Sequence, residues 1–326
     1  MRQACARAHT NIALVKYWGK RDAALNLPAV GSLSLTLDRF YTTTTARPIE
    51  GERDELVLDG RDASEKERAR VSRFLDVLRT VCGGGPRLHI DSINTVPTAA
   101  GLASSASAFA ALTLSVTTAL GKQLEVTELS RLARQGSGSA ARSLFGGFAV
   151  LHRGERPDGA DCFAEPLEAP ASLDVRLLVV RCGTGPKAIG STEAMERTAQ
   201  TSPLYGAWVS THAADLSAGV QCVREGRLDE LGEVMEHSTL KMHATGLGAT
   251  PGFWYFAPTT VAVMDRVRQL RRDGARCWFT MDAGPHVKVL VPTAESTALA
   301  PILAEVPGVV GVDVAAPGPA AHVVVT

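Results

Sequence analysis

No run in this sequence is apolar for long enough to span a bilayer, and Met1 to Trp18 lack the long apolar core of a secretory leader. The longest low-charge run, Asn94–Leu120, is broken by Pro97 and Gly101 and is rich in Ala, Ser and Thr. No net charge is present either. Lys+Arg and Asp+Glu each number 34, so nothing global draws the chain to nucleic acid or to a membrane. Any phosphate site must be a local basic cluster. The six cysteines (Cys5, Cys82, Cys162, Cys182, Cys222, Cys277) form no CxxC pair and show no zinc-ligand spacing. Each lies in or beside an apolar segment, which reads as reduced thiols in a cytoplasmic protein. Repeats and low-complexity tracts are missing as well.

The 326 residues are enough for one large domain or two ordinary ones, and 45% apolar with 21% charged content suits a folded chain. Leu56–Leu58 with Asp59-Gly60 reads as a strand entering a tight turn. Ser64–Leu78 carries Val71, Phe74, Leu75 and Leu78 at helical spacing, and Leu88 to Ser92 alternates as a strand. Gly101–Leu120 reads as a helix of small residues. Thr127–Arg134 reads as a second helix with Thr127 as its cap. Gly146–Leu151 returns as a strand, and Arg153–Leu173, rich in Gly, Pro, Asp and Glu, reads as a loop. Val175–Val180 is an apolar strand. Helical patterns follow at Tyr205–Val223, Leu228–Met242 and Thr259–Arg272. Ala275–Met281 and Val287–Leu290 suggest a hairpin across a Gly-Pro turn, before a helix near Ser296–Leu303 and two Val-rich strands. Strands and helices mix without regular alternation, so the class is α+β, with a boundary near residues 180–190.

Four segments carry the chemistry. Val96 to Ala108 (VPTAAGLASSASA) places Gly, Ala and Ser just before a helix, whose free N–H groups and positive dipole end would face a bound phosphate. It is not the Walker pattern, which needs GxxxxGK[ST]. On pattern alone, a helix start with small residues for tight packing explains it equally well. His9 to Arg21 sets three basic residues beside two aromatics and a glycine, or is simply a strand running into a solvated turn. Gly136 to Gly147 (GSGSAARSLFGG) lies mid-chain. Met281 to Val289 (MDAGPHVKV) is, alone, a hairpin turn with Asp282 at its corner.

Taken together, the runs NIALVKYWGKRD, PTAAGLASSASA, RQGSGSAARSLFGG, KMHATGLGA and FTMDAGPHVKVL resemble the diphosphomevalonate decarboxylases of the GHMP kinase superfamily, in order and over nearly the whole chain. The resemblance implies a two-domain GHMP kinase fold. Residues 1–183 would form an N-terminal, ribosomal-protein-like ATP-binding domain, and residues 184–326 a C-terminal, ferredoxin-like one. It implies ATP-dependent decarboxylation of mevalonate 5-diphosphate to isopentenyl diphosphate. The tertiary 3-hydroxyl is phosphorylated, and that phosphate leaves as carbon dioxide departs. ATP and Mg²⁺ are implied, with a phosphorylated 3-hydroxy acid as substrate and a homodimer as assembly.

Residue by residue, the resemblance makes Asp282 the catalytic aspartate that orients the hydroxyl and accepts its proton. Arg142 grips the substrate carboxylate, a task suited to a planar guanidinium. Lys20 balances phosphate charge. Tyr17, Ser137, Ser139 and Ser191 meet substrate oxygens. Gly101, Ala103, Ser104, Ser105 and Ser107 line the triphosphate, with Ser105 meeting the metal. Trp18 reads as core. Lys16 and Arg21 receive no role, and solvation is their default reading.

The chain departs from the family pattern at three places. His286 replaces the Asn that follows Asp-Ala-Gly-Pro, either as a turn substitution or as a titratable neighbour tuning the site. Thr192 and Glu193 follow Ser191 in Lys187–Met195, where an arginine contacting the diphosphate is expected. Val30-Gly31-Ser32 lacks an Asn before the serine. These leave room for 5-phosphomevalonate, for another 3-hydroxy acid of specialised metabolism, or for a small-molecule kinase such as a mevalonate 3-kinase. Arg142 and Asp282 standing together argue for decarboxylation. They also argue against a non-enzymatic protein on the same fold.

Overall fold

The structure, a computed structural model, describes residues 2–95, 104–183 and 189–325. The expected Gly101 and Ala103 contacts, and Lys187 of the diphosphate segment, lie outside the described residues.

The chain opens on β1 (Ala4–Val15), β2 (Lys20–Asp22), β3 (Leu27–Pro28) and the 18-residue β4 (Ser32–Ile49). Then come β5 (Glu55–Leu58), β6 (Arg61–Asp62), α1 (Glu65–Cys82) and β7 (Arg87–Asn94), followed by α2 (Ser104–Ala119) and α3 (Val126–Gly136). A 3-10 segment, Gly138–Leu144, leads into β8 (Phe148–Leu151), β9 (Ala164–Leu167) and β10 (Val175–Arg181). Next are α4 (Ser191–Thr201), α5 (Tyr205–Glu225), α6 (Leu228–Leu247) and α7 (Pro258–Arg272). The hairpin β11 (Trp278–Met281) and β12 (Val287–Pro292), α8 (Thr293–Ala304), β13 (Gly311–Ala315) and β14 (His322–Val324) complete it.

Two principal sheets organise these elements. The first runs β14-β1-β4-β7-β5-β6, with β8 added to β4 and β9 to β8; the second runs β11-β12-β10-β13. A two-stranded ribbon, β2-β3, stands apart. The class is the expected α+β. A cut at residue 183 would put β10 on the N-terminal side, although its partners are β12 and β13. The last strand, β14, returns to pair with β1, so the chain's two ends share the first sheet.

Local chemistry explains several boundaries. Ser64 caps α1, accepting from the Glu67 N–H while Glu67 reaches back to the Ser64 N–H; Gly83, left-handed at φ 83°, closes it. The Ala, Ser and Thr residues of α2 let its backbone lie close to β1 and β4. Its Thr113 and Thr117 hydroxyls donate to carbonyls one turn back, at 2.7 and 2.9 Å. Two expectations change. Helix α3 starts at Val126 behind an extended Glu125, whose carbonyl accepts from Leu129 N–H, so Thr127 sits inside the first turn rather than capping it. The expected loop 153–173 contains the edge strand β9, which tolerates Pro166 because it pairs on one side only. The segment around Ser191 is the start of α4, behind an extended Gly190.

Strand β1 is covered on both faces and connects the cores. Ala4 and Ala8 pack under α1 to α3, while Ile12, Leu14 and Val15 join the apolar cluster that includes Leu177, Val179 and Met235. The chain leaving β1 and the chain leaving β11 therefore meet between the two sheets. Trp18 is core there, as expected: it is buried, and its Nε1–H donates to Thr198 Oγ1 at 3.0 Å. All six cysteines are buried and free. Among the described residues no helix is long and apolar enough to cross a membrane.

Candidate active site

At the end of β11 the backbone delivers Asp282 into this seam, with its side chain one-fifth exposed. Lys16, the first residue after β1, places Nζ 2.8 Å from Asp282 Oδ1 and also donates to the Ala13 carbonyl at 2.8 Å. Lys288, from β12, lies 3.1 Å from Oδ2. Both lysines are about 1% exposed. The solvation expected for Lys16 is thus overturned. Its N–H donates to Ser238 Oγ at 3.0 Å and its carbonyl lies 2.8 Å from His212 Nε2, so α5 and α6 hold it inside.

Burial alone would raise the Asp282 carboxyl, but the charges of Lys16 and Lys288 outweigh burial and hold it well below the usual carboxylate range. Lys16 fares differently. Burial lowers it to about 8 against the pull of Asp282, because it shares one carboxylate with Lys288 and also feels Arg142. Among the described residues three cations surround one anion, so the cluster has positive charge to spare for a negative ligand.

Arg142 stands on the 3-10 segment, 2% exposed. Its Nε donates to Asn11 Oδ1 at 3.1 Å and its Nη1 to Ser32 Oγ. Among the described residues Nη2 makes no hydrogen bond, which leaves that side of the fork for an anionic group. Burial lowers Arg142 to about 10, with Tyr17 and Asp282 opposing, so it stays charged at neutral pH. Asn11 also donates to the Ser139 carbonyl (2.9 Å) and Ser143 Oγ (2.7 Å), tying the 3-10 segment to β1.

A line of hydroxyls leads from this point to the start of α2. Ser139 Oγ is 3.3 Å from Ser137 Oγ, which is 3.2 Å from Ser105 Oγ. Ser104, beside it, is exposed. Tyr17 lies along the same line. Its buried hydroxyl has no partner among the described residues, and the Arg142 guanidinium carbon is 6.0 Å from its ring centroid. A Cβ on Gly138 would stand 2.1 Å from that hydroxyl, so a glycine is required there.

Not every expected residue joins this group. Ser107 is fully buried: its hydroxyl meets Thr42 Oγ1 (2.8 Å) and the Ser104 carbonyl (3.2 Å), so it packs α2 on β4 instead of facing the serine line. Lys20, in β2, makes no hydrogen bond to Asp282 or Arg142; burial lowers it, and its charged neighbours are Glu196 and Arg70. Ser191 starts α4, with Thr192 and Glu193 exposed in its first turn and Glu193 pairing with Arg197 at 2.8 Å. His286 is 2% exposed and its Nδ1 accepts from the Cys182 N–H at 2.9 Å. Burial, with Lys288 and Arg181, lowers it to about 4, so it is a neutral brace between β10 and β12 and does not titrate near neutral pH.

The N-terminal domain family described as "Diphosphomevalonate decarboxylase-like N-terminal domain" matches residues 8–164, and the "Mevalonate 5-diphosphate decarboxylase C-terminal domain" matches residues 177–311. The diphosphomevalonate decarboxylase of Aspergillus fumigatus is 35% identical over 319 residues, covering 91% of this chain and 79% of that protein. The chain belongs to the diphosphomevalonate decarboxylase family. Among solved structures, that of MDDEF in complex with MVAPP, AMPPCP and magnesium is 42% identical, with a TM-score of 0.93 over 100% of this chain and 99% of that one. The mevalonate diphosphate decarboxylase from Staphylococcus aureus is 39% identical, with a TM-score of 0.94 over 99% and 98%. The decarboxylase fold therefore extends over the whole chain.

Reading the motifs missed four residues of this constellation: Lys16, Lys288, Asn11 and Ser32. The signal for the lysines was there, since each is a single cation in an apolar strand pattern, Ile12–Tyr17 and Val287–Val291, where an unpaired charge does not stay buried.

Proposed function

We propose that this protein catalyses ATP-dependent decarboxylation of mevalonate 5-diphosphate to isopentenyl diphosphate. The observation that carries it is the buried group of Lys16, Lys288, Arg142 and Asp282 at the end of the Ser105–Ser137–Ser139 line. The named relatives act as diphosphomevalonate decarboxylases, and one relative's structure holds MVAPP, AMPPCP and magnesium together.

In this reading Asp282 aims the 3-hydroxyl at the γ-phosphorus. A carboxylate held so far down is a weak base, so aiming is its first task, and it takes the hydroxyl proton late, as the new O–P bond forms and the bond from the γ-phosphorus to ADP breaks. Arg142 Nη2 holds the substrate carboxylate until the C–C bond breaks. The electron pair then forms the alkene as the 3-phosphate departs. Lys16 and Lys288 supply positive charge beside the transfer. Lys20 meets phosphate from the β2 side, and Tyr17, Ser137, Ser139 and Ser191 meet substrate oxygens. Ser104 and Ser105, with the free N–H groups at the start of α2, take the nucleotide phosphates. Oxygen-only donors such as the Ser105 hydroxyl suit Mg²⁺, which would enter with those phosphates and neutralise their charge. The assembly carried by this reading is a cytoplasmic homodimer, and the domains divide before β10, which keeps that strand with β12 and β13.

A second reading has its own observation. Thr192 and Glu193 occupy the first turn of α4, and Glu193 ties up Arg197, so that turn offers little cation to a distal phosphate. The substrate would then be 5-phosphomevalonate. A panel of mevalonate, its 5-phosphate and its 5-diphosphate, compared by carbon dioxide release per ATP, decides. The first reading expects the 5-diphosphate to win in kcat/KM; preference for the monophosphate selects the second; a stable 3-phosphate without carbon dioxide refutes both.

A further inference from the structure

We infer that Lys288 is a positioning residue for phosphoryl transfer: it anchors the second oxygen of Asp282, so that the carboxylate offers one fixed lone pair to the substrate hydroxyl. This rests on the reading of Asp282 given above. Lys16 takes Oδ1 with a well-formed hydrogen bond of 2.8 Å. Lys288 Nζ sits 3.1 Å from Oδ2 as an ion pair, yet Oδ2 has no aligned hydrogen bond among the described residues. The charge is matched while acceptor capacity remains. One lysine comes from the end of β1 and the other from β12, in different sheets, so the carboxylate cannot rotate without losing one of them.

The Lys288 ammonium is itself held, at 3.4 Å from the His286 carbonyl. His286 in turn is braced by the Cys182 N–H, so the β10–β12 seam sets where the ammonium stands. If Lys288 only filled space, a methionine of similar length would serve as well without the desolvation of a second ammonium. Among the described residues, the charged and titratable groups facing Asp282 are Lys16 after β1, Lys288 on β12, Arg142 on the 3-10 segment and His243 on α6. His243 is held down to about 3 by burial and then by Lys16, so it is neutral and leaves the cations in control.

The test uses Lys288→Met and Lys288→Gln, assayed with ATP and mevalonate 5-diphosphate beside Asp282→Asn. The expected result is a fall in kcat of roughly tenfold or more, with both KM values within about twofold, because a misaimed group damages the transition state more than binding. The acid limb of kcat should move to higher pH, since the carboxyl has lost one of its two cations. The unfolding temperature should hold or rise as a buried charge is removed. Wild-type kcat with an unshifted acid limb in either folded variant, alongside an inactive Asp282→Asn, overturns the inference and spares the reading of Asp282. A fall in kcat that only follows loss of folded protein, with the pH profile unshifted, overturns it too. An active Asp282→Asn removes the reading on which it rests.

Discussion

Two ion pairs in this molecule have the same length and different meanings. Arg61 and Glu67 meet at 2.8 Å beside the start of α1, with side chains 58% and 37% exposed. Lys16 and Asp282 also meet at 2.8 Å, with side chains 1% and 20% exposed. At the surface, water screens the pair, and its local role is to steady a helix cap. Glu67 is lowered to about 2 by Arg61 and then by Ser64, and what it adds to stability fades as pH falls from its ordinary 4.5. In the seam, the two lysines are almost wholly shielded from water, and with Arg142 nearby they surround the same carboxylate with positive charge. Such an arrangement does not pay back its desolvation as stability alone. Burial, rather than distance, separates the two pairs: one steadies a helix cap, the other holds positive charge that its single carboxylate does not balance.

The comparison breaks most sharply at Asp282. Asp282→Ala should lower turnover by about 10³-fold or more while leaving ATP affinity nearly intact, as read by steady-state rates beside nucleotide titration. An active variant would make the buried pair as ordinary as the surface one. Arg142→Lys comes next. A lysine cannot reach Asn11 Oδ1, Ser32 Oγ and a substrate carboxylate together, so kcat should drop roughly 10²-fold.

Raising the pH sharpens the contrast without mutation. Lys16, at about 8, should produce an alkaline limb in kcat/KM near that pH as its charge is lost. Stability should respond in the opposite sense. Between about 8 and the ordinary 10.5 the unfolded chain binds more protons at this lysine than the folded one, so its contribution to stability rises with pH. A parallel series of denaturant melts checks the sign. The smallest effect belongs to the surface. Ser64→Ala removes one cap of α1 and should cost about 1 kcal/mol in a denaturant melt, with kcat unchanged.

How much of this was legible beforehand follows from the same physics. The α1 helix, with Phe74, Leu75 and Leu78 on one face, and the hairpin carrying Asp282 are periodic and bounded by turn residues, so their patterns declared them. The 18-residue β4 did not declare itself. Its second half is a Thr run whose buried Thr42 and Thr44 satisfy their hydroxyls on Ser107 and Ser92, which hydropathy alone cannot foresee. The return of β14 to β1 is a contact between opposite chain ends, beyond any local signal. In the site, motif reading named Asp282 and Arg142, which the fold brings into one buried group. It missed the residues that contact them, Lys16, Lys288, Asn11 and Ser32, because only the packed fold shows that two strand ends converge on one carboxylate.

In the proposed function, the one buried group of Asp282, Arg142, Lys16 and Lys288 serves both phosphate transfer and the loss of carbon dioxide. Single-turnover mixing of the protein with ATP and mevalonate 5-diphosphate, counting ADP and carbon dioxide from the same samples, tests it most directly. The account predicts one carbon dioxide for each ADP, both lost together in Asp282→Ala. ADP accumulating with an intact 3-phosphorylated acid, and no carbon dioxide, would contradict it.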